Sequence, residues 1–146
     1  MEYKAGLNYV TQKAFMITLP KSFAGIFVHL PEGWIADRTL HINAGYPWDG
    51  ASFPLFKYTG TPDWLKVPSA VHDFGYWCMN QSKMPLSFRI HWDAFFRQLA
   101  EERVFPKWPR WLRKPIARVA GGVCYGLVRL FGNYCARHGR KVMEVA

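Results

Sequence analysis

The sequence predicts an α+β fold: a small N-terminal antiparallel β-meander, a long aromatic loop, an antiparallel helix pair and a basic amphipathic C-terminal helix. Three observations lead there. Short β-prone runs, each closed by Pro, Gly or Asp, fill residues 1–45. Aperiodic sequence dense in turn formers and rings occupies residues 46–66. From Val67 onward, apolar residues recur at helical spacing, giving a helix pair over 67–105 and a basic helix and tail over 106–146. With 146 residues, half of them apolar, the chain suits one domain with a core of its own.

The first strand candidate, Ala14-Phe15-Met16-Ile17-Thr18-Leu19, stops at Pro20. The second, Ile26-Phe27-Val28-His29-Leu30, is closed by Pro31-Glu32-Gly33. Trp34-Ile35-Ala36 and Thr39-Leu40-His41-Ile42, separated by Asp37-Arg38, complete the meander. Histidines in strands more often pack than ligate, so His29 and His41 stay outside the expected site. Gly45, Pro47, Gly50, Pro54, Gly60 and Pro62 then break all periodicity. The rings of Tyr46, Trp48, Phe53, Phe56, Tyr58 and Trp64 argue that this loop packs onto something.

Pro68 suits a helix first turn, and Val71, Phe74, Gly75 and Cys78 follow at helical spacing to about Asn80. Ser87 is the expected N-cap of a second helix from about Phe88 to Val104, whose apolar stripe includes Trp92, Phe95, Phe96 and Leu99. So short a connection makes the two helices antiparallel neighbours. A last helix is expected from Pro115 to Cys135. Ile116, Val119, Ala120, Val123, Leu127 and Leu130 form its apolar side, for which core packing is the expected use. Arg118, Gly122, Tyr125 and Arg129 lie opposite. The apolar stretch is short for a membrane crossing, and two arginines interrupt it, so no transmembrane span is expected.

Charge is unevenly placed. Residues 1–102 hold nine Lys/Arg and nine Asp/Glu, whereas residues 103–146 hold ten Lys/Arg against the single Glu144, so the last third carries the whole net charge of +9. This asymmetry points to an anionic partner, lipid headgroups before nucleic acid, since the basic residues follow no nucleic-acid recognition pattern. Trp108, Trp111, Arg113 and Lys114 suit a membrane interface. Cys78, Cys124 and Cys135 form neither a disulfide framework nor a zinc signature and point to a reducing setting. The opening Met1-Glu2-Tyr3-Lys4 lacks a basic start with an apolar run, so no secretory signal is expected.

The chemistry concentrates in Val71-His72-Asp73-Phe74-Gly75-Tyr76. On a helix His72 and Tyr76 share a face, and Asp73 is rotated from them by about 100°. An antiparallel second helix lets Asp93 reach the far nitrogen of His72, fix its tautomer and stabilise the imidazolium formed when it takes a proton from water. Tyr76 then donates to a carboxylate and positions it. Asp73, with Asp49 from the loop, is free to hold a hard divalent cation such as calcium, which polarises a carbonyl or phosphoryl oxygen. The competing account is structural: Asp93 lies four residues from both Arg89 and Arg97, the spacing of a surface ion pair.

Two resemblances follow from these residues. Gly45-Tyr46-Pro47-Trp48-Asp49-Gly50-Ala51-Ser52-Phe53-Pro54, then Ala70-Val71-His72-Asp73-Phe74-Gly75-Tyr76, then Trp92-Asp93-Ala94-Phe95-Phe96, resembles a family of phage and prophage proteins known only as a domain of unknown function. The likeness spans residues 24–105, with Tyr46 where the family has Phe and Trp92 where it has Ala. It implies a viral origin, placing the protein in a virion or an infected host cell, and marks Ser52 as a supporting residue. His72-Asp73-x-x-Tyr76 followed by Asp93 is also similar to the secreted phospholipases of the A-two class. That similarity implies His72 as the activator of water, Asp73 as a calcium ligand and Asp93 as the residue orienting His72. The expected function is therefore a metal-assisted ester or phosphoester hydrolase at an anionic surface. The alternative is a non-enzymatic virion component, bound to other phage structural proteins, in which the His/Asp cluster is structural.

Overall fold

The computed structural model describes residues 9–48 and 60–138, with side chains as far as residue 130 in the last helix. Among these residues the architecture is α+β: antiparallel strands come first and three helices follow, two of them packed antiparallel. Strands β2 (Phe15–Thr18), β3 (Val28–Leu30), β4 (Gly33–Ala36) and β5 (Thr39–Ile42) form a sheet in the order β2-β5-β4-β3. Two-residue strands β1 (Tyr9–Val10) and β6 (Pro47–Trp48) pair separately, and Tyr9 stacks on Trp48. The meander expectation holds for β3 to β5, while β2 crosses over to lie beside β5 with Phe15 opposite Ile42.

Alternation sets the sheet's inner face: Val28, Leu30, Ile35, Leu40 and Ile42 are buried, whereas His41 and Trp34 stack with ring centroids 5.3 Å apart on the other face. The β4–β5 hairpin turns on Asp37 and Arg38, both left-handed with φ of 48° and 58°. Such a two-residue loop matches strand twist but favours glycine or asparagine at these positions. Arg38 is held there by its own guanidinium, whose Nε and Nη2 donate to the Leu19 carbonyl at 3.0 and 2.9 Å.

Helix α1 runs from Asp63 to Asn80, α2 from Arg89 to Arg103 and α3 from Arg110 to His138. Two helices start earlier than their sequences suggest, α1 at Asp63 and α3 at Arg110. Pro68 and Pro115 are each the sixth residue of their helix, not members of a first turn. Each removes one backbone donor, but so near the helix start the loss is confined to a single carbonyl, which leaves the helix continuous. Ser87 is not the N-cap of α2: it lies in a 3-10 turn, Leu86–Phe88, and Phe88 caps the helix without a side-chain bond.

Sheet and helices meet at Phe23. A 3-10 turn over Lys21–Phe23 inserts this ring, fully buried, against Trp92 at a centroid distance of 4.6 Å. Burying such a ring contributes about 1.5–3 kcal/mol. Gly75 on α1 lets α2 approach, because a Cβ there would lie 2.2 Å from Trp92 Cδ2. Trp92 in turn donates its indole N–H to Met84 Sδ at 3.0 Å. This close seam between α1 and α2 sets the height at which Asp93, one residue past Trp92, faces α1.

The last helix corrects its expected orientation. Its buried residues are Ala117, Gly121, Cys124 and Val128, whereas Val119, Val123 and Leu130 are 69%, 58% and 76% exposed. Of the apolar side expected in the core, Val119, Val123 and Leu130 therefore face outward, while Ile116, Ala120 and Leu127 are half-buried and Leu127 packs against the core. Small residues face inward because α2 comes close: a Cβ on Gly121 would lie 2.4 Å from Glu101 Cγ.

Candidate functional site

Asp93 is the centre of the site. It is fully buried on α2, and a buried carboxylate persists only where its lone pairs are occupied. Four side chains meet that need. His72 Nε2 lies 2.7 Å from Asp93 Oδ1, and the Tyr76 hydroxyl donates to the same oxygen at 2.6 Å. On Oδ2, Arg129 Nη1 donates at 3.1 Å and Arg89 Nε lies 3.7 Å away. Arg89 also donates to the Tyr76 oxygen at 3.2 Å, to the Val128 carbonyl at 3.1 Å and to the Arg129 carbonyl. All three helices are thus joined at one carboxylate.

The electrostatics follow from this geometry. Burial alone would push the Asp93 carboxyl up, but the hydrogen bond and charge of His72, with the bonds from Tyr76 and Arg129, outweigh it and hold the carboxyl below its ordinary value. Burial, reinforced by the neighbouring Asp93 charge, pushes the Tyr76 phenol well up, so it remains a donor. An ionised carboxylate only accepts, so His72 carries its proton on Nε2 when neutral. Its Nδ1 makes no hydrogen bond among the described residues. The side chain as a whole is 12% exposed. The ring is held between Tyr76 and Phe96, at centroid distances of 4.2 and 5.0 Å. The result is an imidazole with one nitrogen fixed by a buried anion and the other without a hydrogen bond among the described residues, an arrangement a general base can use.

The residues expected from sequence divide into three groups. His72, Tyr76 and Asp93 are brought together. Asp73 is half-buried on α1 beside them and is itself engaged by a partner. Asp49 and Ser52 lie outside the described residues. Among the described residues no group of three His, Cys, Asp or Glu side chains converges to hold a metal ion, and Asp49, the ligand expected beside Asp73, lies outside them. Two broad concavities are described, about 550 Å³ beside Lys83 and Leu86 and about 510 Å³ beside Trp111 and Arg118. Neither is lined by His72 or Asp93.

The surface ion-pair account of Asp93 holds in part: the expected i,i+4 pair with Arg89 is present at 3.7 Å, but Asp93 is in the interior, and Arg97 pairs with Glu101 at 2.7 Å instead. The spacing named Arg89 as a partner of Asp93, whereas sequence reasoning missed Arg129 as a member of the cluster. The available signal was Arg129 interrupting the apolar run of α3, because a charge in such a run commonly has a buried partner.

The chain matches no family model, no curated protein and no solved structure.

Proposed function

We propose that this protein is a hydrolase of ester or phosphoester bonds, with His72 as general base and Asp93 as the residue that orients it. The observation that carries the reading is the His72 Nε2–Asp93 Oδ1 contact of 2.7 Å, on a histidine whose Nδ1 makes no hydrogen bond among the described residues. In the proposed step, Nδ1 takes a proton from water as the water oxygen attacks the ester carbonyl or phosphorus. The imidazolium that forms is stabilised by Asp93, which stays ionised because Tyr76 and Arg129 occupy its remaining lone pairs. The proton on His72 then passes to the leaving oxygen as the ester bond breaks. No part of this step is routed through a cation.

The test is turnover of lipid-ester and phosphodiester substrates by the wild type, His72→Ala and Asp93→Asn, with calcium added and with chelator. Removing a general base lowers kcat/KM by roughly 10²–10⁴-fold, and His72→Ala should fall in that range. A folded wild type without turnover on either substrate class, with calcium or without, sinks the hydrolase reading.

A second reading has its own observation. Asp93 takes donors from α1 and α3 and lies beside Arg89 of α2, so the cluster also serves as a clamp in a non-enzymatic component. Under that reading Asp93→Asn and His72→Ala alter stability alone.

A further inference from the structure

The first turns of α3 carry charge that the chemistry of His72 does not use. Arg110, Lys114 and Arg118 recur every four residues, about 6 Å apart along the axis, and form one row on the helix. All three are exposed, as is Lys107 just before the helix. Among the described residues none of these four makes an ion pair. From residue 103 to residue 143 the sequence contains no Asp or Glu to offset them. Like charges four residues apart repel on a helix, so the row costs stability that a bound anion restores. Rings stand among these cations. Trp111 is 77% exposed, about 20° around the helix from Arg118 and about 60° from Lys114. An open concavity of about 510 Å³ is lined by Arg110, Trp111, Lys114, Pro115 and Arg118. Just before the helix, the exposed rings of Phe105 and Trp108 stack at a centroid distance of 4.4 Å.

We infer that this surface, from Phe105 to Arg118, binds a single-stranded nucleic acid, with the cations on its phosphates and the rings against its bases. Rings and cations alternate along it, in the order Phe105, Lys107, Trp108, Arg110, Trp111 and Lys114, so each exposed ring has a charge beside it. A polynucleotide strand alternates likewise between charged phosphate and flat base, and such strands are held by cationic surfaces furnished with stacking rings. In a duplex the base faces are covered by their neighbours, which leaves the rings without a partner. An acidic peptide supplies charges but no flat faces at the same repeat. A bilayer fits less well, because an interfacial helix keeps its rings on the apolar side and its cations on the other. Here Trp111 stands with the cations, and the centre of the outward stripe of Val119, Val123 and Leu130 lies roughly 120–160° around the helix from the row. The inference does not rest on the hydrolase reading.

Fluorescence anisotropy of the full chain with a labelled, mixed-sequence single strand of about 20 nucleotides tests it, since that length exceeds one such site. Phosphates and base faces are common to DNA and RNA, so the strand is used in both forms. The comparisons are the same DNA as a duplex, and sedimentation with vesicles of equal phosphatidylcholine and phosphatidylglycerol. Single strands should bind most tightly. With three phosphate contacts, the logarithm of the binding constant should fall against the logarithm of salt with a slope of about −2. Lys114→Gln with Arg118→Gln should bring that slope to about −0.7. Trp111→Ala should keep the slope and weaken binding roughly 5- to 150-fold, the range for one lost base stack. All three side chains are exposed, so unchanged thermal melts should separate lost contacts from a lost fold. The inference is overturned by a wild type that binds neither single strand, or that binds the duplex or the vesicles more tightly. It is equally overturned if Trp111→Ala binds as the wild type does, since the surface is then unspecific charge.

Discussion

Withdrawing a carboxylate from water costs several kcal/mol, and the cost is offset only where each lone pair meets a well-aimed donor. Asp93 meets this condition with unequal contributors. The arginines supply charge, His72 supplies a fixed direction, and Tyr76 supplies a short neutral bond of 2.6 Å to the oxygen that His72 also uses. Removing the tyrosine hydroxyl alone therefore isolates one bond to a buried anion without changing the number of charges. Tyr76→Phe should destabilise the fold by about 1.5–3 kcal/mol, the range for hydrogen bonds to charged groups. Urea denaturation of the two proteins measures it. A loss under half a kilocalorie would mean that Arg89, which already donates to the Tyr76 oxygen at 3.2 Å, turns to Asp93 and replaces the bond.

At the scale of elements, glycine positions on the helices separate close packing from open surface. Gly75 has Trp92 within 2.2 Å of where a Cβ would stand, and Gly126 on α3 has nothing within 4 Å. Alanine at Gly75 forces Trp92 off its site, and overpacking of that kind costs about 1–3 kcal/mol. Alanine at Gly126 adds helix propensity with no clash and should stabilise by roughly 0.5–1 kcal/mol. Opposite signs in the melting temperatures of the two variants are the expected result. The same packing explains how much of the structure was legible. Alternation in Thr39-Leu40-His41-Ile42 and spacing in Val71, Phe74 and Cys78 located β5 and α1, because a half-buried element must show its period. The spacing of His72, Tyr76 and Asp93 also read correctly as one cluster once α1 and α2 were antiparallel. The face of α3 was not legible, since its sequence offers large apolar residues on one side and small ones on the other. Apolar bulk pointed to the first side. Close approach of α2 selected the second, through Gly121, and only the fold contains that distance. The arginine at position 129 came to the cluster by the same rotation.

For the whole molecule, Asp93 makes stability depend on pH in a way that its position dictates. Helix α1 approaches it with His72 and Tyr76, α2 with Arg89 and α3 with Arg129, so loss of its charge loosens all three helices at once. Its carboxyl is held below the ordinary value of 3.8 in the folded protein and returns to that value on unfolding. The unfolded chain therefore binds the proton more readily, and stability falls as pH drops. The contribution is complete above the unfolded value of 3.8 and disappears as pH falls through the lower folded value. Asp93→Asn has no such titration, but it leaves Arg129 and Arg89 without their anion. That variant should be less stable than wild type near neutral pH by about 3–5 kcal/mol, the cost of breaking a buried pair. The difference should narrow only on strong acidification, as the wild-type carboxyl takes up its proton. Urea midpoints for both proteins across the acid range measure this gap. A gap that stays constant to the most acid point would mean that the stability Asp93 confers comes from shape and hydrogen bonding, not from its charge. A gap that closes identifies the charge as the common tie among the three helices. His72 keeps its fixed orientation only while Asp93 is ionised, so loss of that orientation and loosening of the fold should share one acid transition.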